Sequence, residues 1–462
     1  MKKISAVFFA AFAALCAPSP EAAAAAMSMT LVGSIEATLR NNPNIKAFQE
    51  LRQAAEFDMA RSSAGYFPRV DVRGGAGLEQ WTDDTTRNPM YVQDKDRFYP
   101  RSDVSLVVSQ NIWDGLATPK RKRVSEARLS SAEYRLLGGA EALSMDAILA
   151  HIEVCRQRKL LELAEANVIN HKKILDSQTE RQNAGVGSLS DVTQTQSRLA
   201  RAEATLAETK ATLKAAYSNY KRLTGIAASD EGKFEVPPAP PGIFPSLQSA
   251  LSSSMTVNPK VGSQMADVAA AHAQRDLDKS AFHPSVSLEL SENYRWQLES
   301  SASDSWGTAA QLRGAWNLSN GGYDINTLRG NRARIRKGNS DLQALRDSLA
   351  QETEDAWTQW LNARQLSEFY SNTVLYNTQT RDMYLEQFNV GQRSLMDLLD
   401  SENDLYSASV QLTTSQMDNL IAQYRIMTLG GRLFTAVNID VGVLNVATNQ
   451  DDGTKRDLAG TT

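Results

Sequence analysis

The chain has 462 residues, a formal net charge of −4, 22% charged residues and 7% aromatic residues. Mild acidity without a long block of one sign argues against a nucleic-acid-binding face. Many Ala, Leu, Gln, Glu and Arg with few aromatics point to long helices, and the two cysteines, Cys16 and Cys155, give the mature chain no internal disulfide.

Met1-Lys2-Lys3, the apolar run Ile4 to Ala17 and the stretch Ala22 to Ala26 form the three parts of a secretory signal, predicted over residues 1–26. Leu15 stands before Cys16 where a lipoprotein signal takes a small residue, which disfavours acylation. No other segment approaches the roughly 18 uninterrupted apolar residues of a membrane helix. An exported chain of this kind is periplasmic, secreted or an outer-membrane barrel.

The remainder is written twice. Asn42-Pro43 recurs as Asn258-Pro259, and Gly65-Tyr66-Phe67-Pro68 recurs as Ala281-Phe282-His283-Pro284. Asn111-Ile112-Trp113-Asp114-Gly115 recurs as Asn317-Leu318-Ser319-Asn320-Gly321, and Leu223-Thr224-Gly225 as Leu429-Gly430-Gly431. A repeat of this length is a duplicated domain rather than a solenoid unit. The first copy is predicted over 27–225 and the second over 247–444. A stiff linker with five prolines joins them over 226–246, and a polar, disordered tail is predicted over 445–462.

After Pro68 and Pro284 the pattern alternates with period two. Strands are predicted over about 69–81 and 102–112 in the first copy, and about 285–296 and 308–318 in the second. Val70, Val72, Gly74, Ala76 and Leu78 share one face; Val286, Leu288, Leu290, Tyr294 and Trp296 share another, with Glu292 its one charged member. Each segment has the length of a tilted membrane strand. Trp81, Phe98, Tyr99, Trp113, Tyr294, Trp296 and Trp316 fall near strand ends, where interfacial aromatics gather. Alternation alone leaves a soluble sheet with one buried face open.

Long helices are predicted next, over about 116–184 and 191–223, and over 323–390 and 397–430. The longer member of each pair would measure about 100 Å, which only a coiled coil or helical barrel accommodates. Heptad positions alternate large with small: Val192, Leu199, Leu206, Leu213 and Tyr220 against Thr195, Ala202, Thr209, Ala216 and Leu223. The second copy repeats this from Leu398 and Ser401 onward, with Asn419 as a polar break or a solvated position. Small core residues suit antiparallel hairpins packed around a cylinder.

Two strands per copy return the chain to its starting side, so all helices lie at one end of the strands. The loops Thr82 to Pro100 and Gln297 to Gly307 lie at the other. Four strands cannot close a barrel, and open edges are excluded from hydrocarbon. Strands in a membrane therefore require an oligomer with a shared barrel.

The duplicated strand pairs, the paired long helices and the segment Gln387-Phe388-Asn389-Val390-Gly391-Gln392-Arg393-Ser394-Leu395-Met396-Asp397-Leu398-Leu399-Asp400 resemble the TolC family of outer-membrane exit ducts from about Leu31 to Phe434. The resemblance implies a mainly helical fold with a membrane β-part. A homotrimer would share a twelve-stranded barrel in the outer-membrane lipid, above a periplasmic α-barrel of antiparallel coiled coils. It also implies a periplasmic adaptor and an inner-membrane ABC exporter or drug pump as partners. Type I protein secretion is the first expectation and small-molecule efflux the second. A periplasmic structural coiled coil without a pore is a third reading, which solubility without detergent would favour.

The expected working part is a pair of helix–turn–helix tips. Ser188 with Asp191, and Ser394 with Asp397, have capping-box spacing. Asp397 and Asp400 lie three apart on a helix and share a face; in a trimer they would form stacked carboxylate rings that favour cations. The resemblance implies that this ring lines the entrance and that Arg393 and Asp191 supply closing links. Phe388 replaces a tyrosine of well-known efflux members, so one closing hydrogen bond is absent. The tips Gly185, Val186, Gly187, Ser188, Val390, Gly391, Gln392 and Ser394 are expected to meet the adaptor. The four histidines form no ligand-spaced cluster, Gly185-Val186-Gly187 lacks the setting of a dinucleotide site, and neither an enzyme nor any cofactor or metal is expected.

Overall fold

A computed structural model describes residues 29–79, 98–228, 234–296, 304–440 and 442. The predicted signal segment with Cys16, Trp81, most of both strand loops and the tail 445–462 lie outside the described residues.

The element order repeats. The first series is α1 (Leu31–Asn41), α2 (Pro43–Ser62), a 3₁₀ turn (Ser63–Tyr66), β1 (Arg69–Glu79), β2 (Tyr99–Trp113), α3 (Ala117–Asn183) and α4 (Leu189–Thr224). The second is α5 (Leu247–Thr256), α6 (Pro259–Asp278), a 3₁₀ turn (Lys279–Phe282), β3 (Ser285–Trp296), β4 (Ser305–Ala315), α7 (Tyr323–Asn389) and α8 (Leu395–Leu429), followed by α9 (Leu433–Val437). Both α3 and α7 run for 67 residues. The chain packs as two compact units: Met1–Asn42, Leu143–Ala239 and Trp360–Tyr424 form one, and Pro43–Ala142, Pro240–Gln359 and Arg425–Thr462 the other.

The second unit holds one antiparallel sheet in the order β1-β2-β3-β4. Opposed residues share a face. Val72 stands opposite Leu106, Val108 opposite Leu290, and Leu288 opposite Leu312. These pairs make one apolar face across all four strands. It is uncovered: Val72 and Leu312 are each 71% exposed. That argues against a soluble sheet resting on a core, since burying such a face is what stabilises one. Glu292, the charged intruder, accepts a hydrogen bond from Trp306 Nε1 at 3.0 Å. On the opposite face charges pair locally, Arg69 with Asp71 at 2.8 Å and Arg313 with Glu289 at 3.1 Å.

Strands β2 and β4 have limits that differ from the alternation pattern. β2 begins three residues before 102 and ends at Trp113, because its ladder continues to Glu79 and a register shift near Asn111 keeps Trp113 paired with Val286. β4 runs from Ser305 to Ala315 rather than over 308–318, its ladder starting at the Arg295–Ser305 pair. Its partner β3 starts at Ser285, directly after Pro284, so Trp316 to Leu318 have no strand to pair with.

The strand-to-helix junctions explain one repeated motif. Asp114 accepts from the backbone N–H of Ala117 (2.9 Å) and Thr118 (2.8 Å), capping α3. Gly115 and Leu116 then both take φ of 65°. Gly321 and Gly322 repeat that left-handed pair before α7, behind Asn320.

The repeated Asn-Pro pairs explain another. Within the first unit, Asn42 Nδ2 donates to the Leu223 carbonyl at 3.1 Å, closing the end of α4. Within the second, Asn258 Nδ2 donates to the Leu429 carbonyl at 2.9 Å, closing the end of α8. Both asparagines are buried. They satisfy last-turn carbonyls that have no partner inside their helix.

The heptads are the packed stripes. Val192, Thr195, Ala202, Leu213, Ala216, Tyr220 and Leu223 are buried on α4, as are Leu398, Ser401, Ala408, Ser415, Ala422 and Ile426 on α8. Asn419 is half-buried, and its Oδ1 accepts from Gln423 Nε2 at 3.0 Å. Further along the first unit, Ser34, His151 and Tyr220 form a buried polar knot. Ser34 Oγ lies 3.0 Å from His151 Nδ1 and 2.7 Å from the Tyr220 hydroxyl. His151 Nε2 lies 2.9 Å from the Glu235 carbonyl, so it is the protonated ring nitrogen that donates, and Nδ1 accepts from Ser34. Burial holds this imidazole below its ordinary pKa.

Candidate functional site

Both tips lie in the first unit and close by the same backbone device. At the end of α3, Val186 N–H donates to the Arg181 carbonyl (3.0 Å) and Gly185 N–H to the Gln182 carbonyl (3.0 Å). At the end of α7, Gln392 N–H donates to the Gln387 carbonyl (2.8 Å) and Gly391 N–H to the Phe388 carbonyl (3.0 Å). This is the Schellman pattern, which requires a left-handed residue after the helix. Gly185 at φ 79° and Gly391 at φ 78° supply it. The turns therefore account for both glycines by backbone geometry alone. They also leave Val186 80% and Val390 69% exposed at the apex.

The following helices start on serines, with a correction to the capping-box pattern. Ser394 Oγ accepts from Asp397 N–H at 3.2 Å, which is the forward half of a box. The Asp397 carboxylate does not turn back to the cap; its Oδ2 lies 3.3 Å from Arg393 Nε. Ser188 Oγ accepts from Ser190 N–H at 3.1 Å, one residue short of the box position. Asp191 makes no ion pair among the described residues. Arg393 lies over the Tyr384 ring, 3.9 Å from its centroid.

Asp397 and Asp400 do share a face. They line a cleft of about 180 Å³ together with Asn377, Thr380, Tyr384 and Asp404. Asp400 is not a free carboxylate: Arg198 Nη2 on α4 donates to its Oδ1 at 3.0 Å. Phe388 is 6% exposed and packs with Ile174, Leu395, Leu398 and Leu399. It acts as an apolar anchor under the tip rather than as part of a polar link.

Sequence reading missed the residues that tie the two hairpins. Arg181 stacks over the Phe388 ring at 4.6 Å and donates to the Phe388 and Asn389 carbonyls, each at 3.3 Å. A cation capping the C-terminus of a neighbouring helix satisfies orphan carbonyls and opposes their partial charge. Deeper in, Glu402 accepts from Arg381 Nη1 (3.0 Å) and Asn170 Nδ2 (3.3 Å). His171 is buried beside this cluster, and burial is the main cause that lowers its pKa; Glu402 opposes the shift and Arg198 adds to it. The only hint of Arg181 in the sequence is its place in the last turn of α3.

The profile of outer membrane efflux proteins matches residues 34–226 and 250–432, one range in each repeat. The chain belongs to this family. Among relatives, outer membrane efflux protein BepC of Brucella suis is 22% identical over 415 residues, covering 88% of this chain and 87% of BepC. The alkaline protease secretion protein AprF of Pseudomonas aeruginosa is 24% identical over 457 residues, covering 94% of this chain and 91% of AprF. The Campylobacter jejuni outer membrane channel CmeC matches with a TM-score of 0.72 at 14% identity, over 89% of this chain and 90% of that one. As an outer membrane efflux protein of the TolC type, the chain is an outer-membrane channel rather than an enzyme. The uncovered apolar face of its sheet is the surface such a location demands.

Proposed function

We propose that this efflux-family protein forms a homotrimeric exit duct. Each copy contributes four strands to a twelve-stranded barrel in the outer membrane, and the helices form a periplasmic tunnel. Cargo is handed over by an inner-membrane ABC exporter through a periplasmic adaptor, in type I protein secretion. The observation that carries this reading is the open sheet. β1 and β4 are both unpaired edges of an antiparallel set, and lipid tolerates no open edge. The β4 edge of one copy and the β1 edge of the next can pair antiparallel, and three copies close the ring.

The tips support the rest of the proposal. Exposed Val186 and Val390 on hydrogen-bonded turns, with Gly185, Gly187, Ser188, Gly391, Gln392 and Ser394, offer an adaptor two equivalent apolar knobs. Asp397 and Asp400 would repeat around the trimer as the entrance ring, and Arg393 and Asp191 are placed beside it for links between copies.

Likeness to AprF along nearly the whole chain supports secretion. A small-molecule efflux duct is the second reading, supported by the likeness to BepC. The deciding experiment removes the chain from its host. Loss of one or more secreted proteins with unchanged tolerance of toxic compounds supports secretion, and the reverse pattern supports efflux. Conductance of the detergent-purified oligomer in a planar bilayer tests the duct itself; a trimer without channel steps would defeat both readings.

A further inference from the structure

We propose that the helices leaving the sheet carry a collar that binds anionic phospholipid headgroups of the membrane leaflet they emerge from. The inference rests on the outer-membrane placement of the sheet and not on the identity of the cargo.

The mild net charge of the chain hides a concentration of cations. Ala117 to Arg128, the start of α3, holds Lys120, Arg121, Lys122, Arg123 and Arg128 against Glu126 alone. Tyr323 to Gly338, the start of α7, holds Arg329, Arg332, Arg334, Arg336 and Lys337 against Asp324 alone. Ten cations face two carboxylates in these two segments, while the whole chain is at −4. Both segments belong to the unit that contains the sheet, and both begin within a few residues of a strand end.

Most of this charge is not spent inside the protein. Lys122 pairs with Glu126 at 3.7 Å and Lys337 with Asp341 at 2.6 Å. By contrast, Arg121, Arg123, Arg128, Arg329, Arg332 and Arg336 make no ion pair or side-chain hydrogen bond among the described residues, and all six are exposed. Arginines without a carboxylate partner are costly to gather on one unit unless an external anion meets them.

The collar sits where a headgroup layer would. Tyr66, Phe67, Trp113, Phe282, Trp316 and Tyr323 are exposed at the same end of the sheet, as interfacial aromatics are. At about 1.5 Å per residue, Arg121 lies roughly 6 Å and Arg336 roughly 20 Å along its helix from the helix start. That range spans the headgroup layer and about one Debye length beyond it. A cleft of about 220 Å³ lined by Lys120, Arg123, Ala273, Asp276 and Lys279 offers a pocket for a phosphodiester. Its one carboxylate, Asp276, is already engaged by Lys279 (2.8 Å) and Arg275 (2.9 Å), which hold its pKa below the usual range. Lys120 Nζ is 3.4 Å from the Gly115 carbonyl, and Arg123 is free to turn into the cleft. Arginine suits this role because its fork matches phosphate oxygens.

The test uses the full chain reconstituted into vesicles, with Trp113 and Trp316 as reporters beside the collar. Quenching by brominated phosphatidylglycerol is compared with quenching by brominated phosphatidylcholine, giving a relative binding ratio. The ratio should stand well above one for the native chain and fall with added salt. Combining R121Q, R123Q, R128Q, R329Q, R332Q and R336Q should lower it by roughly tenfold, toward one. The matching six-lysine variant keeps the charge and should keep most of the preference. An unchanged ratio in the glutamine variant, or no preference in the native chain, overturns the collar. A changed ion selectivity of the channel with an unchanged lipid ratio also overturns it, because the arginines would then face the lumen. Failure of every brominated lipid to quench would strike at the membrane placement of the sheet, a different failure.

Discussion

Arg198 on α4 and Asp400 on α8 meet at 3.0 Å, so a cation from the first repeat covers a carboxylate of the proposed entrance ring in the second. The pair is partly exposed, and its worth in stability is small. Its effect on the local field is not small, because charge near a constriction sets which ions enter. Arg198→Gln should therefore raise the cation-over-anion permeability ratio, and Asp400→Asn should lower it. In the double variant the two changes should largely offset each other, leaving the ratio near the native value. Reversal potentials in a salt gradient read all three; equal ratios in the native and Arg198→Gln channels would remove the pair from the permeation path.

Arg393 and Arg181 make different predictions although both stack on an aromatic ring. Arg393 lies over the Tyr384 ring and pairs with Asp397, both near it in sequence. Arg393→Ser should raise single-channel conductance if the residue links copies across the entrance, with little loss of stability. Arg181 bridges two hairpins through the Phe388 ring and two carbonyls. Arg181→Gln should loosen the tip as a whole, seen as faster hydrogen exchange at Val390 to Gln392. An Arg181→Gln protein with native exchange rates would show that the Phe388 packing alone holds the hairpins together.

The buried histidines set an acid limit on stability. Burial lowers the pKa of His171 and of His151 below the ordinary imidazole value. The unfolded chain then takes up protons first as pH falls past about 6.5. Folding is favoured above that value and weakened below it, down to the folded pKa. His171→Gln should shrink the drop in melting temperature between neutral and mildly acidic solution, and His151 should leave a remainder of the same sign. An identical drop in the variant would mean that His171 meets solvent in the assembled protein.

Asn42 and Asn258 should behave as structural twins. Each donates to a last-turn carbonyl of α4 or α8, and removing the donor strands a buried acceptor. Alanine at either site should cost about 1–3 kcal/mol, read as a lower denaturant midpoint with an unchanged slope. Channel properties at low denaturant should remain native, since neither residue lies at the tips.

Much of the architecture is written in local periodicity, and that part was readable. Period two over Val70 to Leu78 and period seven from Val192 to Tyr220 each report one element and one face. The doubled motifs report the pairing of the halves. What periodicity does not carry is where a ladder runs out. Trp316 and Leu318 continue the alternation, yet their would-be partner strand begins only after Pro284. The tip turns were legible because a left-handed residue limits the choice of amino acid. Arg198 with Asp400, and Arg181 with Phe388, were not. Each joins residues more than 200 positions apart, and nothing in the spacing of either partner marks the other. The basic starts of α3 and α7 were masked by the opposite sign of the rest of the chain.

The two unpaired sheet edges also carry a genetic consequence. In the proposed three-copy barrel each subunit would be exposed to the faults of its neighbours. If half the chains in a cell carried a lesion that spoils the entrance without blocking assembly, roughly one duct in eight would be built wholly from sound copies. Such alleles would be dominant over the native gene, whereas alleles that prevent edge pairing would be silent beside it. Inheritance alone could therefore sort substitutions at the tips from those that disable both the β1 and β4 edges.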